Sequence, residues 1–454
     1  MKSISRILII ALSVLIGTMS IAYAETQPPL LTGKSAILID ATTGKVLFEM
    51  NSHDQHYPAS TTKIMTAILT LENLDLSDKV EIDEETPFTE GSRIYLLEGE
   101  DVTVEEVMYG MMLESANDAA VALAKNISGT VEKFAQLMNE KAVQLGALNT
   151  NFVNPNGLHE DDHLTTAYDL AMIAKYAMTN EIFREYVSTY QYTMDATNLQ
   201  DTRYFYNTNR MLYDNIHKVT VNNEIRGCKY DGITGIKTGY TGKAGGCMVA
   251  GARRGTTELI AVSLATTEMG RFQDCIALLD FGFDNYKTVN ALKQGEEFGM
   301  IPVSRGSVKN VRVILPEEVN ATLPAEASAS LLRTEVNLLD SIEAPVLPGQ
   351  KAGIIKLYAG EELIGEYDAV AADRVERGGL LSIAGISDEA ADKMISFSLI
   401  SITLLLLLLV LYVLIKRRQM KIRRIKRLRR EEKYRQIYEQ QKIRWDQQYW
   451  SKRY

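Results

Sequence analysis

From Met394 to Ile415 the chain runs for twenty-two residues without a charged side chain, including an unbroken leucine run from Leu404 to Leu409. A stretch of that length and character has one favourable setting, a helix across a bilayer: about 20 apolar residues span the hydrocarbon, and a helix satisfies its own backbone polar groups there. The flanking charge sets the direction. Residues 416–454 carry sixteen Lys or Arg against four Asp or Glu, and positive charge stays on the cytoplasmic side. The expected topology is therefore N-out and C-in, with a basic cytoplasmic tail suited to anionic lipid head groups. At the other end, Lys2 and Arg6 precede an apolar stretch from Ile7 to Ile21 and then Ala22-Tyr23-Ala24. This is the pattern of a secretory signal peptide over residues 1–24.

Removing those segments changes the meaning of the composition. The whole chain has 49 basic and 58 acidic residues; the tail takes 16 and 4 of them and the leader two of the basic ones, which leaves 31 against 54, a net of −23, outside the membrane. Such an acidic portion excludes nucleic acid as its partner. Three cysteines, Cys228, Cys247 and Cys275, are too few and odd in number for a disulfide scaffold. The placing of Cys228 and Cys247 on either side of Lys237 leaves room for one bridge, but free, partly buried thiols are the expectation.

The exported portion opens on β-prone runs at Lys34–Asp40 and Lys45–Glu49 around Ala41-Thr-Thr-Gly44, a hairpin signal. Tyr57-Pro58 then delivers the chain to Ser60-Thr-Thr-Lys63 at the start of an amphipathic stretch running to Leu76. In a helix, Ser60 and Lys63 lie one turn apart on one face, at an N-terminus whose free N–H groups favour negative charge. Alone, the tetrapeptide also looks like a serine N-cap. A second helical stretch begins near Val104, breaks at Glu114-Ser115-Ala-Asn117-Asp118 and resumes over Ala119–Leu123, so that Ser115 and Asn117 are presented at the break. Farther on, His159-Glu-Asp-Asp-His163 matches a zinc-peptidase motif in letters only. It follows Asn154-Pro-Asn-Gly157 and holds two aspartates, so it reads as a loop, whereas metal binding needs both histidines on one helix face. No metal and no cofactor is expected. Helix resumes at Thr166–Ala177, with Thr165 or Thr166 as its cap.

Residues 231–241, 245–252 and 258–264 read as three successive antiparallel strands, with Lys237-Thr238-Gly239-Tyr240 on the first, and an apolar helix from Cys275 to Phe283 closes the domain behind Gly270-Arg271. Glycine within a strand marks close approach of another backbone. From about Asn290 to Ala372 the pattern becomes all-β, with strand-like runs at Val308–Leu315, Ala352–Tyr358 and Leu363–Val370. The expected organisation is a signal peptide 1–24, an α+β catalytic domain 25–287, a smaller β-rich domain 288–385, a connector 386–393, the span 394–415 and the tail 416–454.

Ser60-x-x-Lys63, Ser115-x-Asn117 and Lys237-Thr-Gly239 follow one another at separations of 55 and 122 residues. This ordered set resembles that of penicillin-binding proteins and serine β-lactamases. The surrounding PASTTKIMTA, SANDAA, NPNGLH and GIKTGYT are similar to the low-molecular-mass D-alanyl-D-alanine carboxypeptidases over about Leu31–Tyr286. The resemblance implies an α/β-sandwich with an antiparallel sheet and a penicillin-sensitive serine peptidase acting on peptidoglycan stem pentapeptides. It assigns Ser60 as nucleophile, Lys63 as general base and Ser115 as proton relay, with Asn117 and Lys237 completing the catalytic set. It also implies that the Ser60 and Tyr240 N–H groups form the oxyanion hole, and that Lys237, Thr238, Gly239 and Arg271 bind substrate. The chemistry requires a neutral Lys63, which burial and the nearby Lys237 would favour. A D,D-endopeptidase acting on cross-linked peptides uses the same motifs. A β-lactam sensor signalling through the span and tail is the alternative from a different class. A β-lactamase needs neither the β-rich module nor the anchor. The family is commonly held by a terminal amphipathic helix, so a true span with a basic tail is a departure.

Overall fold

A computed structural model describes residues 27–384 and 386–452; the expected signal peptide lies outside them. In chain order the first part contains β1 (Ser35–Asp40), β2 (Val46–Met50), α1 (Lys63–Asn73), α2 (Val104–Leu113), α3 (Asn117–Ser128), α4 (Val131–Gln144), α5 (Ala167–Ala177) and α6 (Glu181–Ser188). Two short hairpins follow, β3 (Gln191–Met194) with β4 (Arg203–Tyr206) and β5 (Lys218–Val221) with β6 (Glu224–Gly227). Then come β7 (Ile233–Thr241), β8 (Gly245–Arg254), β9 (Thr257–Thr266) and α7 (Gly270–Asn285).

Five strands form one antiparallel sheet in the order β2-β1-β9-β8-β7. Because successive strand residues point to opposite faces, Ile37 and Ile39 join a core with α1 to α6, while Ala36 and Leu38 join a second core with α7. The sheet is thus covered on both sides, and β7 is left at its edge. This is the expected α+β sandwich. α1 is the helix at the centre of the larger core, with every residue from Lys63 to Thr70 buried.

Helix boundaries differ from the sequence reading: α7 starts at Gly270 rather than Cys275, and both ends of α1 are shifted. Residues Ala59–Thr62 form a 3₁₀ turn, and α-helix starts only at Lys63. Thr61 caps that tight turn by donating its hydroxyl to the Pro58 carbonyl at 2.7 Å. At the far end the helix stops at Asn73 rather than Leu76, since Leu74 is extended and Asp75 and Asp78 form a turn held by two hydrogen bonds. The break between α2 and α3 falls at Ser115, whose φ is +59°. α5 is capped by Thr166, whose hydroxyl accepts from the Asp169 N–H.

The chain divides into two compact units, one containing residues up to Lys293 with Glu318–Arg333 and Leu357–Gly365, the other Gln294–Glu317, Thr334–Lys356 and everything from Glu366. In the first unit β10 (Tyr286–Leu292) pairs with β13 (Val319–Pro324), and the buried Asp40 carboxylate accepts hydroxyls from Thr288 and Thr322. The second holds most of a six-stranded sheet, ordered β14-β16-β17-β12-β11-β15, built from β11 (Glu297–Ser304), β12 (Asn310–Ile314), β14 (Leu332–Leu338), β15 (Ile342–Glu343), β16 (Lys351–Ala359) and β17 (Glu362–Ala371). It ends in α8 (Asp388–Ser451), a 64-residue helix that contains the whole uncharged run and leaves it exposed. This helix is long and apolar enough to cross a membrane.

Candidate active site

The three motifs converge because two chain segments press against the Ser60 turn. Gly239 on β7 has no side chain where a Cβ would lie 3.0 Å from the Ser60 nitrogen and 3.1 Å from the Pro58 oxygen. Gly157, at φ +84°, lets the 154–158 loop lie against the Ala59 carbonyl from another side; a Cβ there would overlap that oxygen, well inside van der Waals contact, and fall 2.9 Å from Thr62 Oγ1. The Ser60 turn itself opens on a left-handed Ala59, φ +48°.

Lys63 is fully buried, and its Nζ has three partners: Asn117 Oδ1 at 2.7 Å, the Asn156 carbonyl at 2.6 Å and Ser60 Oγ at 3.1 Å. The Asn117 amide orientation is set by its Nδ2, which donates to the Glu90 carbonyl at 2.7 Å. Two of the three partners are therefore acceptors only. The Ser60 hydroxyl alone can also donate. A neutral amine in this position gives its two N–H bonds to Asn117 and Asn156 and turns its lone pair toward Ser60. Burial, and after it the charge of Lys237, hold the Lys63 ammonium well below the ordinary lysine range, against the opposing charge of Asp118.

Lys237 is buried on β7 and makes a long hydrogen bond, 3.3 Å, to the Thr238 carbonyl. Burial and then the Arg271 guanidinium push it down to about 7, with Glu114 acting the other way. Ser115 Oγ is buried without a hydrogen-bond partner among the described residues. Thr238 Oγ1 lies 2.8 Å from Thr208 Oγ1, and Thr208 N–H donates to the Leu113 carbonyl, so residue 208 bridges the end of α2 and β7. Tyr240 is exposed at the mouth of the strand. Arg271, at the start of α7, is 8% exposed and donates from Nη1 to the Gly239 carbonyl at 2.7 Å, bracing β7 from behind.

The His159–His163 segment is non-helical. His163 is buried with both nitrogens engaged: Nδ1 accepts from the Val153 N–H at 3.0 Å, so Nε2 donates to Thr62 Oγ1 at 2.9 Å. Burial lowers its pKa to about 4, which keeps it neutral. His159 packs edge-on against Tyr57. Cys228, Cys247 and Cys275 are free and buried.

A family model for D-alanyl-D-alanine carboxypeptidases matches residues 22–268, more than half of the chain. The chain belongs to the D-alanyl-D-alanine carboxypeptidase family. A second model, the C-terminal domain of penicillin-binding protein 5, matches residues 286–377. A D-alanyl-D-alanine carboxypeptidase of Bacillus subtilis is 35% identical over 355 residues, covering 77% of this chain and 87% of that protein. One from Escherichia coli is 30% identical over 398 residues, 83% of this chain and 97% of the other. Among solved structures, penicillin-binding protein 5 of Haemophilus influenzae superposes with a TM-score of 0.64 at 27% identity, over 77% of this chain and 99% of that one. This D-alanyl-D-alanine carboxypeptidase is accordingly a serine hydrolase of the low-molecular-mass penicillin-binding class, with the family's C-terminal β domain and an apolar C-terminal helix consistent with membrane anchoring.

The geometry adds participants that sequence reasoning missed. The Asn156 carbonyl on Lys63 is a backbone group and leaves no residue-type signal beyond the Asn-Pro-Asn-Gly turn that positions it. Asp118, Thr208 and Glu90 act through hydrogen bonds to parts of the chain distant in sequence.

Proposed function

We propose that Ser60 is the nucleophile by which this carboxypeptidase removes the terminal D-alanine of peptidoglycan stem pentapeptides, with Lys63 as its general base. The observation that carries this reading is the partner set of the Lys63 amine, which leaves its lone pair for the Ser60 hydroxyl. Ser60 Oγ attacks the carbonyl of the penultimate D-alanine while its proton passes to Lys63 Nζ. As the tetrahedral intermediate collapses, the C–N bond breaks and the leaving nitrogen takes a proton through Ser115, whose hydroxyl has no competing partner among the described residues. The products of this half-reaction are free D-alanine and an ester on Ser60. Water, deprotonated in the same manner, then hydrolyses the ester. The Ser60 and Tyr240 N–H groups stabilise the oxyanion, a contribution of about 3–4 kcal/mol per donor in comparable sites.

The departing D-alanine's carboxylate meets Lys237 and Thr238. A lysine poised at about 7 gains its full charge when an anion docks beside it, so binding and protonation reinforce one another. Arg271 serves the same end by holding the Gly239 carbonyl and keeping β7 in register. A β-lactam imitates the D-alanyl-D-alanine end and acylates Ser60 in the same way. Residues 25–287 form the catalytic part, the β-rich 288–385 its spacer, 386–393 a connector and 394–415 the span after a cleaved leader. The catalytic part stands outside the membrane, and the basic tail lies in the cytoplasm with its first turns on anionic lipid head groups.

The test uses the full-length protein in detergent micelles with a diacyl-Lys-D-Ala-D-Ala peptide and a fluorescent penicillin. Wild type should release D-alanine and be labelled, and Ser60→Ala should do neither. Labelling without release would replace the enzyme by a β-lactam receptor; labelling of Ser60→Ala would mean the nucleophile is another residue.

A further inference from the structure

Asp118 is a fully buried carboxylate with no salt-bridge partner among the described residues, one position after Asn117. Its oxygens are spent on backbone: Oδ1 accepts the Ile94 N–H at 3.2 Å and the Ala119 N–H at 2.9 Å, and Oδ2 accepts the Leu96 N–H at 3.1 Å. Those bonds tie residues 90–96 across the start of α3. The same segment is joined to Asn117 twice more, through Asn117 N–H to the Ser92 carbonyl at 2.7 Å and Asn117 Nδ2 to the Glu90 carbonyl at 2.7 Å. Between them, Gly91 at φ +87° leaves no room for a side chain, because a Cβ would sit 2.5 Å from Asn117 Nδ2. From its outer side the segment is clipped by Arg203, which donates to the Ile94 carbonyl at 2.9 Å, and by Gln200, which donates to the Tyr95 carbonyl at 2.7 Å.

This arrangement determines which end of the Asn117 amide faces Lys63. Were the amide reversed, its NH₂ would point at the Lys63 amine and its oxygen at the Glu90 carbonyl, two repulsive contacts in a buried space. The Glu90 carbonyl prevents that reversal, and it is where it is because Asp118 anchors the segment. We propose that Asp118 is a positioning residue for the acylation step: through residues 90–96 it fixes the Asn117 amide, and with it the direction of the Lys63 lone pair toward Ser60. A carboxylate is the side chain suited to this task, since it alone accepts from separate backbone donors on both oxygens; an asparagine in its place has one acceptor and turns donors toward an N–H. The inference rests on Lys63 acting as the base for Ser60.

Asp118 has a second, measurable influence. The charged groups facing Lys63 are Lys237 from β7 and Asp118 from α3, and the neutral His163 lies on the 154–163 loop. Burial pushes the Asp118 carboxyl up, against the backbone N–H groups that favour its charged form; once ionised it opposes Lys237 in its effect on Lys63. Loss of the Asp118 charge therefore lowers the Lys63 pKa further, and the acid limb of the acylation rate, where Lys63 loses its proton in the free enzyme, moves to lower pH.

The experiment measures the second-order rate of acylation by a fluorescent penicillin against pH, for the full-length protein in detergent, with thermal melting as the check on folding. Asp118→Asn should acylate roughly ten- to a hundredfold more slowly at its plateau, the scale of a small misplacement at a reacting centre, and its acid limb should shift to lower pH. Gly91→Ala displaces the same segment without changing charge, so its rate should fall while the limb stays in place. A wild-type plateau in either variant overturns the proposal, as does an unshifted limb in Asp118→Asn. Should Asp118→Asn not fold, Gly91→Ala decides by its plateau. If Ser60→Ala still labels, it is the underlying assignment that has failed; if Ser60→Ala is silent and both position variants match wild type, only the positioning role has.

Discussion

An alanine at position 157 tests how closely the Ser60 turn depends on its neighbour. The backbone there is left-handed, φ +84°, and the new Cβ would overlap the Ala59 carbonyl while approaching Thr62 Oγ1 to 2.9 Å. The left-handed conformation costs an L-residue about 1–2 kcal/mol. Relief of the overlap requires a displacement on the order of an ångström, because both nearest atoms belong to the Ala59 backbone. That displacement carries Asn156 away from Lys63 and breaks a 2.6 Å hydrogen bond, a further 0.5–1.5 kcal/mol or so. Together these give a loss of roughly 2–3 kcal/mol, which for a domain of this size lowers Tm by about 4–12 °C. Catalysis should suffer more than folding: with one fixed acceptor gone, the amine is free to rotate its lone pair away from Ser60, and kcat/KM for D-alanine release should fall about a hundredfold. Melting and release are measured on the same full-length preparation. A Gly157→Ala protein with wild-type Tm and kcat/KM would refute the argument, since the loop would then have yielded without disturbing Lys63.

Two other perturbations follow from the charges. Asn117→Asp sets a carboxylate against Lys63 Nζ, which stabilises the ammonium; the acid limb of D-alanine release should move to higher pH and the rate at neutral pH should drop by at least tenfold, and an unmoved limb would count against Lys63 as the base. Lys237 binds its proton less tightly in the fold, at about 7 against the ordinary 10.5, so the unfolded chain holds more protons between those values and stability rises with pH across that window. Lys237→Met should flatten the rise in Tm between pH 7 and 10 by roughly the contribution of one proton, and an unchanged slope would show that Lys237 is charged in the native state.

What was legible in the sequence was whatever depends on residue type and short-range spacing. The Ser60–Lys63 face, the presenting break at Ser115–Asn117 and the Lys237 strand are of this kind, and so is the loop character of His159–His163, betrayed by the preceding Asn-Pro-Asn-Gly. Backbone contributions were not. The Asn156 carbonyl could have come from any residue type, and only the fold brings it to Lys63. Arg271 carried an expectation of contact with substrate, yet a charge in the sequence does not reveal that its guanidinium is turned to the Gly239 carbonyl. The start of α1 was displaced because Thr61 and Thr62 follow a left-handed Ala59 and close a 3₁₀ turn first. The pairing of Tyr286–Leu292 with Val319–Pro324, with a threonine of each strand donating to the Asp40 carboxylate, joins segments distant in sequence, and no local pattern encodes it.

The length of α8 fixes a set of distances that composition alone does not. Without a glycine or proline from Asp388 to Ser451, it is a rod about 96 Å long at 1.5 Å per residue, roughly three times the thickness of a bilayer's hydrocarbon. Measured along that rod, Lys416–Lys421 lie within about 9 Å of Ile415, inside the reach of a charged surface at physiological salt, whereas the stacked Trp445 and Tyr449 lie about 45–50 Å beyond it. On the proposed reading, in which 394–415 crosses the bilayer, the cations nearest the span would meet the membrane surface and the aromatic tip would stand clear of it by more than the width of a small domain.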